Sequence, residues 1–336
     1  MKILNSIICT LILVFSFGCG TKNPNDNEKQ FADIQIINTD SVVFNVDSSD
    51  LKYKNKPYLL AYDRALLLWQ VPFKERDINT KFGKAHVIIC GPENTTPIVL
   101  LHGMNASSTM WYTNIKALSE KYQVIAIDFL LEPGKSTNEK EVNETSEIVQ
   151  WYTEIFDSLN LKSINLIGAS RGGWLATNIA LNYPERINKM VLLSPAQTFI
   201  WIRPGIDVFY NLAYTLSPKR KRLRSVLETM TFDVDNIDQT YIDHYFIATQ
   251  EATINKCFVQ MRPFSSKELN SLKMPVMVLI GDNDIINNHK SLKIAKEEIK
   301  YVNVAKIKNA GHFLSIDQAD VVNKRILDFI DTQNLK

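Results

Sequence analysis

Cysteine is scarce in this chain. There are four cysteines among 336 residues, and two of them, Cys9 and Cys19, lie close to the amino terminus. The other two, Cys90 and Cys257, are too few to form the disulfide framework of a small secreted scaffold. We favour buried free thiols for both, the usual state of such cysteines in a globular core, and a disulfide between the two is the alternative.

An excess of charge of one sign is also lacking. Lysine and arginine number 38 against 36 acidic residues, which gives a formal net charge of +2. No basic helix carries interleaved aromatic residues, so the sequence lacks the pattern of a nucleic-acid-binding surface. It also has no H-x-x-x-H motif and no dense group of histidines and carboxylates, so we expect neither a metal nor another cofactor.

The amino terminus has no apolar run long enough to span a membrane. Lys2 precedes an apolar run at residues 7–17, which is too short for a transmembrane helix but suits a cleaved signal peptide. The residues that follow, FSFGCG, resemble the lipobox of bacterial lipoproteins, although Ser16 stands where that family prefers leucine. A plain secretory signal is the alternative.

The lipobox resemblance implies that Cys19 is acylated and becomes the new amino terminus. Residues 1–18 would then be a lipoprotein signal peptide, and residues 19–50 a flexible tether, because GTKNPNDNEKQ is polar and lacks core-forming residues. On this interpretation the protein is a membrane-anchored lipoprotein of the bacterial cell envelope.

Strand-like and helical stretches alternate from about residue 85 onward. The strand-like stretches are HVIIC, PIVLLHG, QVIAIDF, SINLIGAS, KMVLLSP and MPVMVLIG. They are almost uniformly apolar, as strands covered by helices on both faces must be. This order predicts an α/β fold with a mostly parallel sheet, in which functional residues gather in the loops after the carboxyl ends of the strands.

One of these loops contains a G-x-S-x-G motif. Gly168, Ser170 and Gly172 lie between the strand SINLIGA and a helix that begins near Trp174. An ordinary glycine-rich turn is one interpretation. The strand–turn–helix context favours the other, a nucleophile elbow that presents the Ser170 hydroxyl at a helix amino terminus.

A serine nucleophile needs a base, and the sequence offers five histidines. They are His86, His102, His244, His289 and His312. His312 lies in KIKNAGHFLSIDQ, between a strand-like run and the last helix, where the base of such a nucleophile is expected. His102 directly follows a buried strand, in the position of an oxyanion-hole loop.

The third catalytic group should be a carboxylate that lies between the serine and the histidine in the chain. VMVLIGDNDIINN offers two, Asp282 within the turn and Asp284 further along the loop toward His312. We favour Asp284 and keep Asp282 as the alternative. Asp128 precedes the serine, and we expect it to cap a loop or helix instead.

The order Ser170, Asp284, His312, with His102 and Gly103 upstream, resembles the α/β-hydrolase superfamily. The segments WQVPFKERDINTKFGKAHVIICG, PERINKMVLLSPAQTF and KNAGHFLSIDQADVVNKRILDF are similar to bacterial carboxylesterases of the naproxen-esterase kind. This likeness extends over about residues 60–333.

The resemblance implies an α/β-hydrolase core at residues 51–196 and 270–336, with a helical cap at residues 197–269 inserted between strands β6 and β7 of the superfamily. It also implies that the backbone N–H groups of Met104 and Arg171 form the oxyanion hole. For the Arg171 side chain we favour pairing with a carboxylate below the turn over contact with an acidic substrate.

The predicted cap is rich in aromatic residues: Trp201, Phe209, Tyr210, Tyr214, Tyr241, Tyr245, Phe246 and Phe258. We expect some of them to pack within the cap and others to line an apolar substrate pocket. For the basic stretch KRKRLR, we favour a helix face exposed to solvent over contact with anionic lipid.

The function predicted from these features is that of a serine carboxylesterase acting on small to medium apolar or aryl esters. A hydrolase with the same triad that acts on a thioester, lactone, amide or carbon–carbon bond is the alternative. A lipoprotein that kept the fold as a binding module is a third hypothesis, which the complete motif disfavours.

Overall fold

The computed structural model describes residues 56–93, 95–252 and 260–332, together with the backbone of two short strands. These strands, β1 (Gln35–Thr39) and β2 (Val42–Val46), pair as an antiparallel hairpin inside the segment for which the sequence predicted a flexible tether. Their sequences, QIINT and VVFNV, are rich in β-branched residues, which favour strands. The predicted signal peptide, Cys19, Cys257 and Phe258 lie outside the described residues.

A nine-stranded sheet organises the rest of the chain. Its strands are β3 (Phe73–Thr80), β4 (Gly83–Cys90), β5 (Ile98–Leu101), β6 (Val124–Ile127), β7 (Thr137–Asn138), β8 (Ile164–Ala169), β9 (Ile187–Leu193), β10 (Val276–Gly281) and β11 (Val302–Ile307). They lie in the order β11-β10-β9-β8-β5-β6-β4-β3, with β7 paired to β4. The strands from β6 to β11 along this path are parallel, and β3, β4 and β7 pair antiparallel. The prediction of a mostly parallel sheet is confirmed.

Helices cover both faces of this sheet. They are α1 (Pro57–Leu66), α2 (Ile115–Ser119), α3 (Thr145–Ser158), α4 (Arg171–Asn182), α5 (Ile206–Leu216), α6 (Arg220–Met230), α7 (Gln239–Glu251), α8 (Ser266–Asn270), α9 (His289–Glu298), α10 (Leu314–Asp317) and α11 (Ala319–Asp331). In the described part of the chain, no helix is both long enough and apolar enough to cross a membrane.

Alternate side chains of β5 show how the sheet divides the core. Ile98 and Leu100 belong to one hydrophobic cluster, which includes residues of α1, α2, α7 and α11. Val99 and Leu101 belong to the other, which includes residues of α3, α4 and α9. Successive side chains of a strand point to opposite faces, so a strand buried on both faces must be apolar at every position.

A helical insertion lies between β9 and β10, where α5, α6, α7 and α8 follow one another. When the two-residue β7 is left out, β9 and β10 are the sixth and seventh strands of the sheet. The insertion therefore occurs at the point in the chain where the sequence predicted a helical cap.

Candidate active site

Ser170 occupies a one-residue turn between β8 and α4. Its backbone has φ 52° and ψ −117°, a conformation that residues with a side chain rarely adopt. Its N–H donates to the carbonyl of Leu193 on β9, and its carbonyl accepts from the N–H groups of Gly173 and Ala196. These bonds hold the strained turn and fix the direction of the hydroxyl.

Two glycines make so sharp a turn sterically possible. A Cβ atom on Gly168 would overlap the backbone of Gly172, and one on Gly172 would overlap the carbonyl of Leu101 on β5. The elbow is therefore packed directly against its own helix and the neighbouring strand. This is the physical reason for the spacing of glycines around Ser170.

His312 lies in the loop between β11 and α10. Its Nε2 is 2.8 Å from the Ser170 Oγ and accepts the hydroxyl proton, while its Nδ1 donates to Asp284 Oδ1 at 3.0 Å. The preceding residue, Gly311, is fixed by an N–H donated to Asp317 Oδ2 at 2.7 Å. The His312 side chain is only 2% exposed, so bulk water hardly reaches the imidazole.

Asp284 lies in the loop that follows β10, and its side chain is fully buried. Besides the His312 contact, its carboxylate accepts from the N–H groups of Ile286 at 2.8 Å and Asn287 at 3.2 Å. Burial alone would raise the pKa of Asp284. The charge that His312 carries when protonated, the hydrogen bond from His312 and the Ile286 N–H hold this pKa below its ordinary value. The carboxylate is therefore ionised beside the imidazole.

Asp282, the alternative carboxylate, points elsewhere. Its Oδ1 accepts from the Ala310 N–H at 3.2 Å and from the Asn283 side chain at 2.7 Å, and the residue is exposed. It braces the two loops that carry Asp284 and His312. The structure thus brings Ser170, His312 and Asp284 together and leaves Asp282 outside the group.

The two residues whose backbone N–H groups are expected in the oxyanion hole, Met104 and Arg171, line the same cavity as Ser170. Arg171 is the first residue of α4, a position whose N–H has no acceptor within the helix. On the other loop, the Gly103 N–H donates to Met110 Sδ and the Asn105 N–H to Glu132 Oε2. The N–H of Met104 lies between these two engaged groups and makes no hydrogen bond within the described residues.

The side chain of Arg171 forms a buried ion pair with Glu132. Arg171 Nη1 contacts Glu132 Oε1, and the two side chains are 6% and 4% exposed. The guanidinium carbon lies 4.5 Å from the centre of the Phe129 ring, in cation–π geometry. Burial raises the pKa of Glu132, and the charge of Arg171 and the Asn105 N–H oppose that rise.

Glu132 is a site residue that was not predicted from the sequence. Its two carboxylate oxygens connect the loop that carries Met104 to the elbow that carries Arg171, because one accepts from Asn105 and the other contacts the guanidinium. The available signal was Arg171 itself, since a cation buried beside the nucleophile requires a carboxylate partner.

His102 and Asp128 support these loops. His102 Nδ1 donates to the Gly103 carbonyl, and its Nε2 accepts from the Phe129 N–H, both at 2.8 Å. An imidazole that accepts at one nitrogen is neutral, and burial lowers the pKa of His102 to about 4. Asp128 accepts from the Ser108 N–H that opens a short helix, which agrees with the capping role predicted for it.

A cavity of about 350 Å³ opens beside Ser170 and His312. Its described lining is largely apolar. The core contributes Met104, Ala106, Met110 and Ile286, and the insertion contributes Ile202, Val208, Leu212, Tyr214, Val226, Met230, Tyr241 and Tyr245. The tyrosines at 214, 241 and 245 are thus the predicted aromatic lining, whereas Trp201 and Phe209 are exposed.

Comparison with known proteins places this chain in a family. Residues 96–240 match the α/β-hydrolase fold family. The chain is 33% identical to the uncharacterized carboxylesterase nap of Bacillus subtilis over 82% of this chain and 93% of the relative. It is 31% identical to carboxylesterase YbfK of the same organism, over 87% and 97% of the two chains.

A solved structure gives the same result. The crystal structure of naproxen esterase from Bacillus subtilis is 33% identical, covers 82% of this chain and 97% of its own, and superposes with a TM-score of 0.76. The α/β-hydrolase fold and the likeness to bacterial carboxylesterases that the sequence predicted are confirmed. The chain belongs to the α/β-hydrolase family, close to the Bacillus carboxylesterases, and is a hydrolase.

Proposed function

We propose that the protein is a serine carboxylesterase that hydrolyses small to medium apolar or aryl esters through an acyl-enzyme. The observation that carries this proposal is the continuous hydrogen-bonded series from the Ser170 hydroxyl through both nitrogens of His312 to Asp284. The carboxylesterase names of the two Bacillus relatives support the choice of bond.

In the first half of the reaction, Ser170 Oγ attacks the ester carbonyl while His312 Nε2 takes its proton. Asp284 keeps the proton of the neutral imidazole on Nδ1 and stabilises the imidazolium that forms. The developing oxyanion accepts from the N–H groups of Met104 and Arg171, which are fixed before the substrate arrives. His312 then protonates the leaving alcohol, and an acyl-enzyme remains on Ser170.

In the second half, a water molecule takes the place of the alcohol. His312 removes a proton from this water, the resulting hydroxide attacks the acyl carbonyl, and the same two N–H groups hold the oxyanion. Collapse of the intermediate breaks the bond to Ser170 Oγ, which regains its proton from His312. The products are the carboxylic acid and the free enzyme.

The nature of the cavity supports apolar substrates. Its lining offers methionine, branched aliphatic and tyrosine side chains, and the charge of Arg171 is neutralised by Glu132. A volume of about 350 Å³ lies at the small end of the range for ligand pockets. A relative named naproxen esterase supports the acceptance of aryl groups.

The location that we propose rests on the sequence alone. A lipobox-like FSFGCG after a short apolar run supports acylation of Cys19 and anchoring of the enzyme in the bacterial cell envelope.

We predict that Ser170→Ala lowers esterase turnover at least about a thousandfold, because only binding and the oxyanion hole then assist the reaction. Labelling by a fluorophosphonate probe should disappear as well. Ser225→Ala, which removes an exposed serine on α6, serves as the matched control and should leave both unchanged. A folded Ser170→Ala protein with most of its activity would exclude the mechanism.

We predict that Asp284→Asn lowers turnover nearly as much as His312→Ala does, because an amide cannot stabilise the imidazolium. Asp282→Asn should cost far less in turnover and mainly lower the melting temperature, since Asp282 only braces the loops. Turnover on a chromogenic ester and thermal unfolding separate the two effects. The opposite ranking in folded proteins would assign the acid to Asp282.

We predict that Glu132→Gln lowers the free energy of unfolding by about 3 kcal/mol, because it leaves the guanidinium of Arg171 buried without its counter-ion. The double variant Glu132→Gln/Arg171→Met should regain most of this loss in urea unfolding. It should also keep activity on neutral esters, because position 171 still supplies its backbone N–H. A double variant that is no more stable than Glu132→Gln would contradict the ion-pair account.

We predict that kcat/KM rises from acetyl to butyryl or hexanoyl esters and then falls. Each buried methylene gains about 0.8 kcal/mol until the cavity is full. A panel of nitrophenyl esters of increasing acyl length measures this profile. A kcat/KM that rises steadily up to the palmitoyl ester would require an open groove instead of a cavity. Faster cleavage of amides or thioesters than of esters would show that the enzyme acts on a different bond.

We predict that the protein partitions into the detergent phase of a two-phase extraction and that Cys19→Ser either releases soluble protein or blocks processing. Mass spectrometry of the mature amino terminus identifies the acyl groups. An unmodified amino terminus at another residue, on a protein that stays in the aqueous phase, would exclude lipidation.

A further inference from the structure

Helix α5 and the turn before it carry an unusual group of exposed apolar side chains. The group consists of Trp201, Ile206, Phe209, Leu212 and Leu216, which are 62%, 80%, 67%, 51% and 64% exposed. We refer to these five residues as the α5 patch. Single exposed hydrophobic residues are ordinary, but five within sixteen positions form an apolar surface of the kind that marks an interaction site.

The two sides of α5 show why this patch is not part of the core. Val208, Asn211 and Thr215 line the cavity beside Ser170, so the inner side of the helix is already in use. Leu212 lies at the border, because it is half exposed and also lines the cavity. Ile206, Phe209 and Leu216 are spaced three and seven residues apart, which places them together on the outer side. A surface helix normally has polar residues there. The outer side of α5 is apolar instead.

Basic side chains flank the α5 patch at both ends. Arg203 precedes the helix, and Lys219, Lys221 and Arg222 follow it. All four are exposed, and none has an ion pair among the described residues. The other arginines of α6 are held by carboxylates: Arg220 by Asp243, and Arg224 by Glu228 and Asp235.

The charge of this segment differs from that of the whole chain. Residues 201–224 contain six basic residues and one acidic residue, Asp207, whereas the chain as a whole has a net charge of only +2. Cations without an ion pair in the described part of the chain, placed around an apolar surface, suit a partner that is apolar inside and anionic outside. They disfavour a second copy of the same patch, because a symmetric pair would bring like charges together.

We propose that the α5 patch docks on the surface of an anionic lipid bilayer. Ile206, Phe209 and Leu216 enter the boundary between headgroups and acyl chains, as the apolar side of an interfacial helix does. Trp201 lies at the headgroup level, where tryptophan is enriched, and the flanking lysines and arginines contact lipid phosphates. This proposal depends neither on acylation of Cys19 nor on the esterase reaction.

Docking in this manner would place the cavity one helix away from the lipid. The same helix, α5, then has the bilayer on its outer side and the cavity beside Ser170 on its inner side. An apolar ester dissolved in the outer part of the bilayer would reach the cavity with little passage through water.

The tryptophans of the chain allow a direct test. Four of the five, Trp69, Trp111, Trp151 and Trp174, are at most 4% exposed, and Trp201 is 62% exposed. The full chain is added to, or reconstituted with, vesicles of phosphatidylcholine and phosphatidylglycerol whose acyl chains carry bromine next to the headgroups. Bromine at that depth quenches tryptophans in the interfacial region of the bilayer. We expect the tryptophan emission to shift to shorter wavelength and the part of it that comes from Trp201 to be quenched. The difference between the wild-type protein and a Trp201→Phe protein gives the emission of Trp201.

Matched variants make the result specific. Phe209→Asp should abolish the quenching, whereas Val321→Asp, at an exposed apolar residue of α11, should not. Lys219→Glu/Lys221→Glu/Arg222→Glu, added salt and vesicles without phosphatidylglycerol should each weaken it. Fluorophosphonate labelling of Ser170 checks that every variant is folded.

Three outcomes would overturn the proposal. The first is an unquenched Trp201 on vesicles that carry the protein, which would mean attachment without docking. The second is equal quenching in the Phe209→Asp protein. The third is a dimer in sedimentation that Phe209→Asp dissociates and in which Trp201 is already shielded without lipid, which would make a second copy the partner.

Discussion

The left-handed backbone of Ser170 is the constraint on which the site depends. A residue with a side chain holds this conformation only when its surroundings leave no alternative. Here the bonds from Ser170 to Leu193, Gly173 and Ala196 supply that support, and the close approach of Gly172 to β5 removes the space in which the turn would relax. The parallel sheet is therefore more than a scaffold, because the register of β5, β8 and β9 sets the angle of the nucleophile.

Arg171 imposes a second requirement on the fold. Its backbone must lie at the first position of α4, and its guanidinium then enters the protein beside Phe129. A lone buried cation would destabilise the elbow, and Glu132 compensates for it while also binding the Asn105 N–H. One carboxylate thus links the loop that carries Met104 to the elbow that carries Arg171.

The sequence predicted the parts of this site that have local signals. Ser170 has its glycines and its strand–turn–helix context, and His312 and Asp284 follow strands that are recognisable from their apolar runs. Arg171 indicated that a carboxylate partner was needed, but only the three-dimensional packing of its loop against the elbow makes Glu132 that partner. The exposed position of Phe209 was also not predictable, since an apolar residue at helical spacing indicates a buried side and the sequence does not say which side of α5 faces the cavity.

The neutralised Arg171 has a consequence for the end of the catalytic cycle. An ester enters the cavity without charge, but its hydrolysis leaves a carboxylate among methionine, aliphatic and tyrosine side chains. Transfer of an ionised carboxylate out of water into such surroundings is strongly unfavourable, and Glu132 already balances the positive charge of Arg171, which lines the cavity. On the proposed mechanism, burial favours binding of the uncharged ester and the charge of the product disfavours its retention, so we expect product inhibition by the released acid to be weak.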